Sequence, residues 1–408
     1  MTTQPIRSIP APVTRRMTRP APGGLLLAAV FLIALNLRAG IASIPPLIPV
    51  IETDLHLSGA AAGGLTALPV LCMGVFAPVG QRLAHRLGRE QTITIALVAL
   101  VAGLAIRWGS AQVGLLYLGT LVAGVGIAII GTLLPGLVKE FFAARSGVIT
   151  GMYMFAMMAG AAGASALAVP LARLTGSWPA SLAVWAVLGL ASLVLWVLVA
   201  ARAAQRSPRE RARVPSPRLP WRSATAWLLA VYLAVQSWEF YSQLSWLPAS
   251  YEAHGFSAGR AGLLLAVYTL AQIVSGSAGP AFSDRVRDRR VLLAGFVLAS
   301  VIALAAITLV PMAAPWVWVT LLGLGQGAAF SIALVYLVDY ARDPATSARL
   351  TAMAFLVSYS VAAIGPAVVG YLRDVTGGFT VPWTVLLGLS LVELALVWPL
   401  RPGRQVGP

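Results

Sequence analysis

Long apolar runs, repeated twelve times, limit what this chain can fold into. A helix needs about 20 residues to cross the hydrocarbon core of a bilayer, which is about 30 Å thick. The runs are near or above that length and are continuous rather than alternating, so they predict helices and not barrel strands. Only 10% of the 408 residues are charged, against roughly 25% in soluble domains. We therefore predict an all-α membrane protein. The expected spans are 24–50, 60–83, 92–109, 113–138, 148–172, 179–200, 224–250, 261–283, 291–310, 315–338, 350–371 and 382–400.

The distribution of basic residues predicts the orientation of these spans. With both termini on one side, that side receives 24 of the 29 Lys and Arg residues and the other side receives 4, among them Arg107 and Arg373. Such an asymmetry indicates that the basic side is cytoplasmic. The net charge of +16 is then a consequence of topology, and no nucleic-acid partner is expected.

The longest polar stretch after the first run divides the spans six and six. It covers 201–223, is rich in Arg and Pro, and is interpreted as a cytoplasmic linker. The predicted organisation is a cytoplasmic tail at 1–23, a six-helix bundle at 24–200, the linker, a second bundle at 224–400 and a cytoplasmic tail at 401–408.

An internal repeat supports two related bundles. Shifting the chain by 199 residues aligns 57–86 with 256–285, with nine of thirty positions identical, including the pairs Gly63/Gly262 and Gly80/Gly279. Two six-helix units in the same orientation predict a pseudo-twofold axis along the membrane normal. In transporters built in this way, the substrate site lies between the halves.

The loops that follow spans two and eight carry a related charged turn. The first copy contains Gly80, His85, Arg86 and Arg89, and the second contains Gly279, Asp284, Arg285 and Arg289. The pattern resembles the cytoplasmic loop motif of the major facilitator superfamily, although His85 stands where an acid is usual. The resemblance implies that these residues form a gating loop, in which salt bridges at helix ends break and re-form as the halves rock. The alternative is that they are ordinary positive-inside residues.

Three stretches resemble the cyanate/2-nitroimidazole (CynX/NimT) branch of that superfamily. They are "ALNLRAGIASIPPL" (34–47), "GIAIIGTLLPGLVKEFFAARSGVITGMY" (126–153) and "YSQLSWLP" (241–248). The resemblance covers essentially all of 24–400. It implies a transporter that moves a small solute by alternating access, in uptake or in efflux. We accordingly expect a monomer in the cytoplasmic (inner) membrane of a bacterium, with the lipid bilayer, a small solute and H⁺ as its partners.

Two charged residues lie near the middle of predicted spans. Arg38 is in span one and Glu239 is in span seven. Buried charge costs at least about 2.5–3.5 kcal/mol on insertion scales, and such residues normally face a wet cavity or a partner. We therefore expect Arg38 to bind an anionic or weakly acidic solute and Glu239 to be a candidate for proton coupling. The alternative is that the two residues neutralise each other. Glu393, in span twelve, is expected to reach the cytoplasmic interface.

Neutral polar side chains on the same spans are further candidates for solute binding. Asn36 is the only asparagine of the chain and lies two residues from Arg38, so on a straight helix the two do not share a face. The other candidates are Tyr153, Gln236, Tyr241 and Tyr359.

The remaining patterns exclude other functions. There is no Walker motif, paired metal ligand or nucleophile motif, so neither a cofactor nor an enzymatic activity is expected. A channel or receptor is a further alternative. Within the superfamily resemblance, the chain has Thr120 in place of a characteristic arginine and lacks the Gly-Pro signature of many antiporters. A pump that exports small toxic compounds or drugs is the second interpretation, and uptake of a small anion is the first.

Overall fold

The structure is a computed structural model. It describes residues 24–142, 146–204, 219–283, 285–286, 288–401 and 404–405. The tail at 1–23, residues 205–218 of the linker and Asp284 lie outside the described residues. The secondary structure of the described residues is entirely helical.

The described residues form sixteen α-helices, and we call α1–α9 the N-terminal half and α10–α16 the C-terminal half. Their bounds are α1 Gly24–Ala42, α2 Ile48–Leu55, α3 Gly59–Val75, α4 Ala77–Leu87, α5 Arg89–Ile106, α6 Val113–Phe141, α7 Ser146–Thr175, α8 Trp178–Ala183, α9 Trp185–Ala204, α10 Ala224–Ala253, α11 Ala258–Ser283, α12 Arg289–Leu309, α13 Pro315–Asp339, α14 Pro344–Ala362, α15 Gly365–Thr376 and α16 Thr380–Val397.

The helices account for the predicted spans. Among the described residues, ten stretches are long and apolar enough to cross a membrane, and the bent pair α3–α4 makes eleven. The helix α10 is 30 residues long but carries Gln236, Ser237 and Glu239, which lower its hydropathy, and it supplies the twelfth. The all-helical membrane fold expected from the sequence is confirmed.

The first span is broken at a pair of prolines. A 3₁₀ turn at Pro45–Leu47 separates α1 from α2, because proline supplies no backbone N–H and restricts the residue before it. The Arg107 side chain donates through Nη1 to the Gly40 carbonyl oxygen at 2.8 Å, in the last turn of α1, where carbonyl groups lack intrahelical donors. Arg107 is fully buried, at the end of the predicted span 92–109.

The two halves repeat the same glycine contacts. A Cβ at Gly80 would lie 3.2 Å from the Cα of Ile129 and 3.0 Å from the Thr132 hydroxyl. A Cβ at Gly279 would lie 3.4 Å from the Cα of Ala328 and 3.2 Å from the Ser331 hydroxyl. Both partners are displaced by the same 199 residues as the glycines, so the sequence repeat corresponds to repeated packing.

The halves meet closely along two helix pairs, α3 with α15 and α7 with α11. A Cβ at Gly63 on α3 would lie 2.2 Å from the Pro366 carbonyl oxygen on α15. A Cβ at Gly262 on α11 would lie 2.8 Å from the Ser165 carbonyl oxygen on α7. Gly63 and Gly262 are the pair aligned by the repeat, and they lie near the first residues of α3 and α11. We call this end of the fold, which is remote from the chain termini, the outer end. The opposite end carries the Arg-rich loops, and we call it the basic end.

Candidate functional site

Arg38 reaches across the boundary between the halves. Its Nη1 donates to the Tyr241 hydroxyl of α10 at 3.0 Å, and its guanidinium carbon lies 5.9 Å from the ring centroids of Phe240 and Tyr241. Tyr359 of α14 packs edge-on against Tyr241, with ring centroids 6.4 Å apart. Three of the residues singled out in the sequence are thus brought together at one point between the halves.

A small cavity of about 10 Å³, room for about one water molecule, adjoins this arginine. Helices α1, α7, α10 and α11 line it, and its polar residues are Arg38, Thr269 and Gln272, with apolar side chains such as Phe240 completing the wall. The Gln272 amide nitrogen is buried without a hydrogen-bond partner. The hydrogen bond described for Arg38 uses only Nη1, so the pocket combines a cation and a neutral donor with aromatic walls. A small flat anion that accepts hydrogen bonds matches these groups.

Of the other candidates, Tyr241 and Tyr359 lie beside Arg38 without lining this pocket, and three lie further away. Asn36 points into the N-terminal half, where its Nδ2 would be 3.2 Å from a Cβ at Gly189 of α9. Gln236 donates to the Gln326 side-chain oxygen at 2.9 Å inside the C-terminal half. Tyr153 is buried in the hydrophobic core on α7. The rotation of each helix turns these three side chains away from the pocket of Arg38, and their role in solute binding remains a prediction.

Glu239 does not pair with Arg38. It is fully buried, and its Oε2 accepts hydrogen bonds from Ser390 of α16 at 2.6 Å and from Gln326 of α13 at 3.1 Å. These partners lie inside the C-terminal half, whereas Arg38 faces the gap between halves. The interpretation of Arg38 and Glu239 as a neutralising pair is therefore not what the structure contains.

An ion-pair cluster joins the halves at the outer end. Arg373 of α15 contacts Glu52 of α2 at 2.8 Å and its neighbour Asp374 at 2.9 Å. Asp374 accepts a hydrogen bond from the Gly59 backbone N–H at the start of α3 at 2.5 Å. The Arg373 guanidinium also lies 4.8 Å from the Trp246 ring centroid. Sequence reasoning placed Arg373 in a loop and missed this cluster, since Glu52 and Arg373 are far apart in the chain and neither stands in a motif.

Replacing Arg373 by alanine is expected to loosen closure at the outer end. The change removes a part-buried, charge-assisted contact, for which about 1.5–3 kcal/mol is typical before solvent screening. Labelling of a cysteine introduced at Ala249, in the adjoining cleft, should become faster, and Arg260→Ala at an exposed outer position is the matched control. Equal labelling rates in wild type and Arg373→Ala would contradict a gating role for the cluster.

At the basic end, the predicted gating-loop residues lie at helix ends. Gly80 packs on α6, Arg86 is exposed, and the Arg89 guanidinium lies near Gly136 of α6. The His85 side chain is outside the described residues, as is Asp284.

In the second copy of this loop, Arg285 is exposed above the Phe282 ring. Arg289 forms a salt bridge with Asp339 of α13. Asp288 caps α12, and the hydrogen bonds from Arg290 hold the pKa of its carboxyl below the usual range. These contacts lie within the C-terminal half, and a gating role for the loop remains a prediction.

Comparison with known sequences places the whole chain in one group. Residues 26–366 and 229–408 match the sequence pattern of the Major Facilitator Superfamily. The chain is 34% identical to the 2-nitroimidazole transporter of Escherichia coli over 93% of this chain and 96% of that protein. It is 30% identical to the cyanate transport protein CynX of Escherichia coli over 92% of this chain and 98% of that protein.

Solved structures agree on the fold. A bacterial homologue of the human lysosomal transporter Spinster, in an inward-facing and occupied conformation, superposes with a TM-score of 0.74 at 15% identity, over 94% of this chain and 97% of that one. At that identity the likeness concerns the fold alone. The sequence relatives carry the assignment further: this multi-pass membrane protein belongs to the major facilitator superfamily, in the branch that contains the cyanate and 2-nitroimidazole transporters.

Proposed function

We propose that the protein is a secondary transporter that carries a small anionic or weakly acidic polar solute across the cytoplasmic membrane by alternating access. Cyanate, nitrate and nitroimidazole-like compounds are the solute class. The observation that carries the proposal is Arg38, a cation near the middle of a transmembrane helix whose only described hydrogen bond is to the neutral Tyr241 hydroxyl. An arginine in that position is costly unless a partner or water satisfies it, and an anionic solute supplies such a partner.

The cavity beside Arg38 is closed and favours a small cargo. Its volume of about 10 Å³ lies far below the usual range of about 300–1,000 Å³ for sites that bind drug-sized ligands, so a solute enters only when the halves separate. The Gln272 amide and the Arg38 guanidinium each offer N–H groups to one anion, and the ring of Phe240 provides a flat wall. These features favour a planar or linear anion with few atoms.

The contacts between halves support alternating access. Close packing of Gly63 on Pro366 and the Glu52–Arg373 salt bridge hold the outer end together. Rocking of the halves about the pocket has to separate these contacts so that the solute reaches Arg38 from the outer side. In this proposal both termini and the basic end are cytoplasmic, as the arginine distribution indicates.

Efflux is the second candidate function, because the same pocket can serve transport in either direction. The gradients of the solute and of any coupled ion then determine the direction of net transport. The small size of the cavity argues against a large drug as cargo, which leaves a small toxic compound of the nitroimidazole type as the cargo for efflux. The two directions are distinguished by testing uptake and release under imposed gradients.

The test uses purified protein in proteoliposomes and labelled cyanate, with nitrate and 2-nitroimidazole as competitors. We expect saturable uptake above the level of protein-free liposomes, inhibition by at least one competitor, and no inhibition by xylose, a neutral sugar. Uptake of labelled cyanate, labelled nitrate and labelled 2-nitroimidazole that never exceeds the protein-free level would contradict the proposed solute class.

A further inference from the structure

Two acidic side chains are buried together in the C-terminal half, behind the face of α10 that meets Arg38. Glu239 of α10 and Glu393 of α16 are both fully buried. Ser390 donates to Glu239 at 2.6 Å, and Glu393 follows Ser390 by three residues on α16, which places the two on the same helix face. The two carboxyl groups are close enough to interact electrostatically. The expectation that Glu393 extends to the interface is therefore wrong.

Three described basic side chains of the C-terminal half are engaged in ion pairs with other acids. Arg289 and Arg290 pair with Asp339 and Asp288, and Arg373 pairs with Glu52 and Asp374. Within the described residues, no hydrogen bond or salt bridge links Glu239 or Glu393 to a cation. The titratable groups that interact with the two acids from the packed helices are tyrosines, namely Tyr232 of α10 and Tyr268 of α11.

The hydrogen bonds around the two carboxyl groups are unequal. Glu239 Oε2 accepts from both Ser390 and Gln326, as either an ionised oxygen or the carbonyl oxygen of a protonated carboxyl group can. Neither Glu393 oxygen accepts a hydrogen bond of normal geometry, and Glu239 Oε1 has no partner. Burying one unpaired carboxylate is costly, and two adjacent carboxylates without a cation cost still more.

We propose that Glu239 and Glu393 form a shared proton-binding pair that takes up one proton from the medium and couples its movement to that of the solute. A proton needs no cavity, only a carboxylate oxygen that becomes O–H. The coupling role rests on the proposed transport function, whereas the proton-binding pair itself does not.

The helix α10 connects this pair to the solute pocket. Glu239 and Tyr241 are two residues apart and project from different faces, one toward Ser390 and the other toward Arg38. Gln326, which donates to Glu239, also accepts a hydrogen bond from the Gln236 side chain. The next residue, Ser237, has its hydroxyl 2.8 Å from that of Ser358, the neighbour of Tyr359. A change in the charge of the pair therefore acts on the helix that holds the partner of Arg38.

The first arm of the test compares two kinds of transport in proteoliposomes, with labelled cyanate as the probe. For Glu239→Gln and Glu393→Gln, accumulation driven by a pH gradient should fall by about 5- to 150-fold, the usual range of coupling between sites. Exchange of labelled for unlabelled cyanate at equal pH on both sides should persist. Glu252→Gln, on the same helix but outside the pair, is the matched control. Wild-type accumulation by Glu393→Gln, or insensitivity of the wild type to the gradient, would overturn the coupling role while leaving solute transport intact.

The second arm needs no solute and so remains decisive if the transport proposal fails. Infrared spectra of the purified protein in lipid nanodiscs at neutral pH should contain the C=O stretch of a protonated, buried carboxyl group. The double variant Glu239→Gln/Glu393→Gln should lose the absorption that the pair contributes to that band. The control variant Glu252→Gln should keep this absorption. Absence of the band from the wild type, or its full persistence in the double variant, would overturn the pair.

Discussion

Replacing Arg38 by alanine is expected to abolish solute transport while leaving the fold intact. Arg38 provides the positive charge in the pocket, and hydrogen bonds to charged groups contribute about 1.5–3 kcal/mol. That loss alone corresponds to roughly 10- to 150-fold weaker binding, before any effect on the conformational change. Initial rates of labelled cyanate uptake into proteoliposomes, measured over a range of concentrations, give the effect.

Two companion variants separate charge from structure. Arg38→Lys keeps the charge but loses the planar fork of donors, so it should retain a measurable part of the uptake. Tyr241→Phe removes only the hydroxyl that accepts from Arg38 and should have a smaller effect than Arg38→Ala. Unchanged uptake kinetics in a correctly folded Arg38→Ala protein would contradict its role as the anchor.

Replacing Gly63 by alanine is expected to trap the transporter with its outer end open. The new Cβ would lie 2.2 Å from the Pro366 carbonyl oxygen and 2.9 Å from the Ala367 backbone nitrogen, which real atoms do not tolerate, so α3 and α15 must separate. Overpacking costs about 1–3 kcal/mol, which shifts a two-state equilibrium by about 5- to 150-fold. Turnover should fall accordingly, while solute binding to the purified protein is retained.

A glycine in open space gives the matched control for this variant. A Cβ at Gly131 on α6 has no atom within 4 Å, so Gly131→Ala should transport like the wild type. The separation at the outer end is measured by the distance between spin labels on α3 and α15. A distance distribution and turnover for Gly63→Ala that both match those of Gly131→Ala would show that the close approach has no functional role.

The spans were predictable because the bilayer imposes one length and one composition on every crossing helix. Even the polar helix α10 was recognisable, since Glu239 and its polar neighbours stand in an otherwise apolar run. Arg38 and Tyr241 were found for the same reason: an intramembrane charge or phenol needs a partner. The family resemblance followed from short stretches of quoted sequence and was confirmed by the full-length relatives.

Helix rotation was the information that the sequence lacked. Asn36 and Gln236 are intramembrane polar residues like Arg38, yet their helices turn them into the two halves. Residue type and depth therefore did not distinguish a pocket-lining side chain from one that packs inside a bundle. Glu239 and Glu393 lie on helices that are separated by more than 150 residues in the chain. No local sequence pattern predicts such a pairing.

The most direct test of the account is to locate a bound anion at Arg38. Selenocyanate has the charge and linear shape of cyanate, and its selenium atom scatters anomalously. A crystal structure of the protein with saturating selenocyanate should show an anomalous peak in the pocket between α1, α7, α10 and α11, with the anion within hydrogen-bond distance of the Arg38 guanidinium. A peak elsewhere in the protein, or an empty pocket at saturation, would contradict the account.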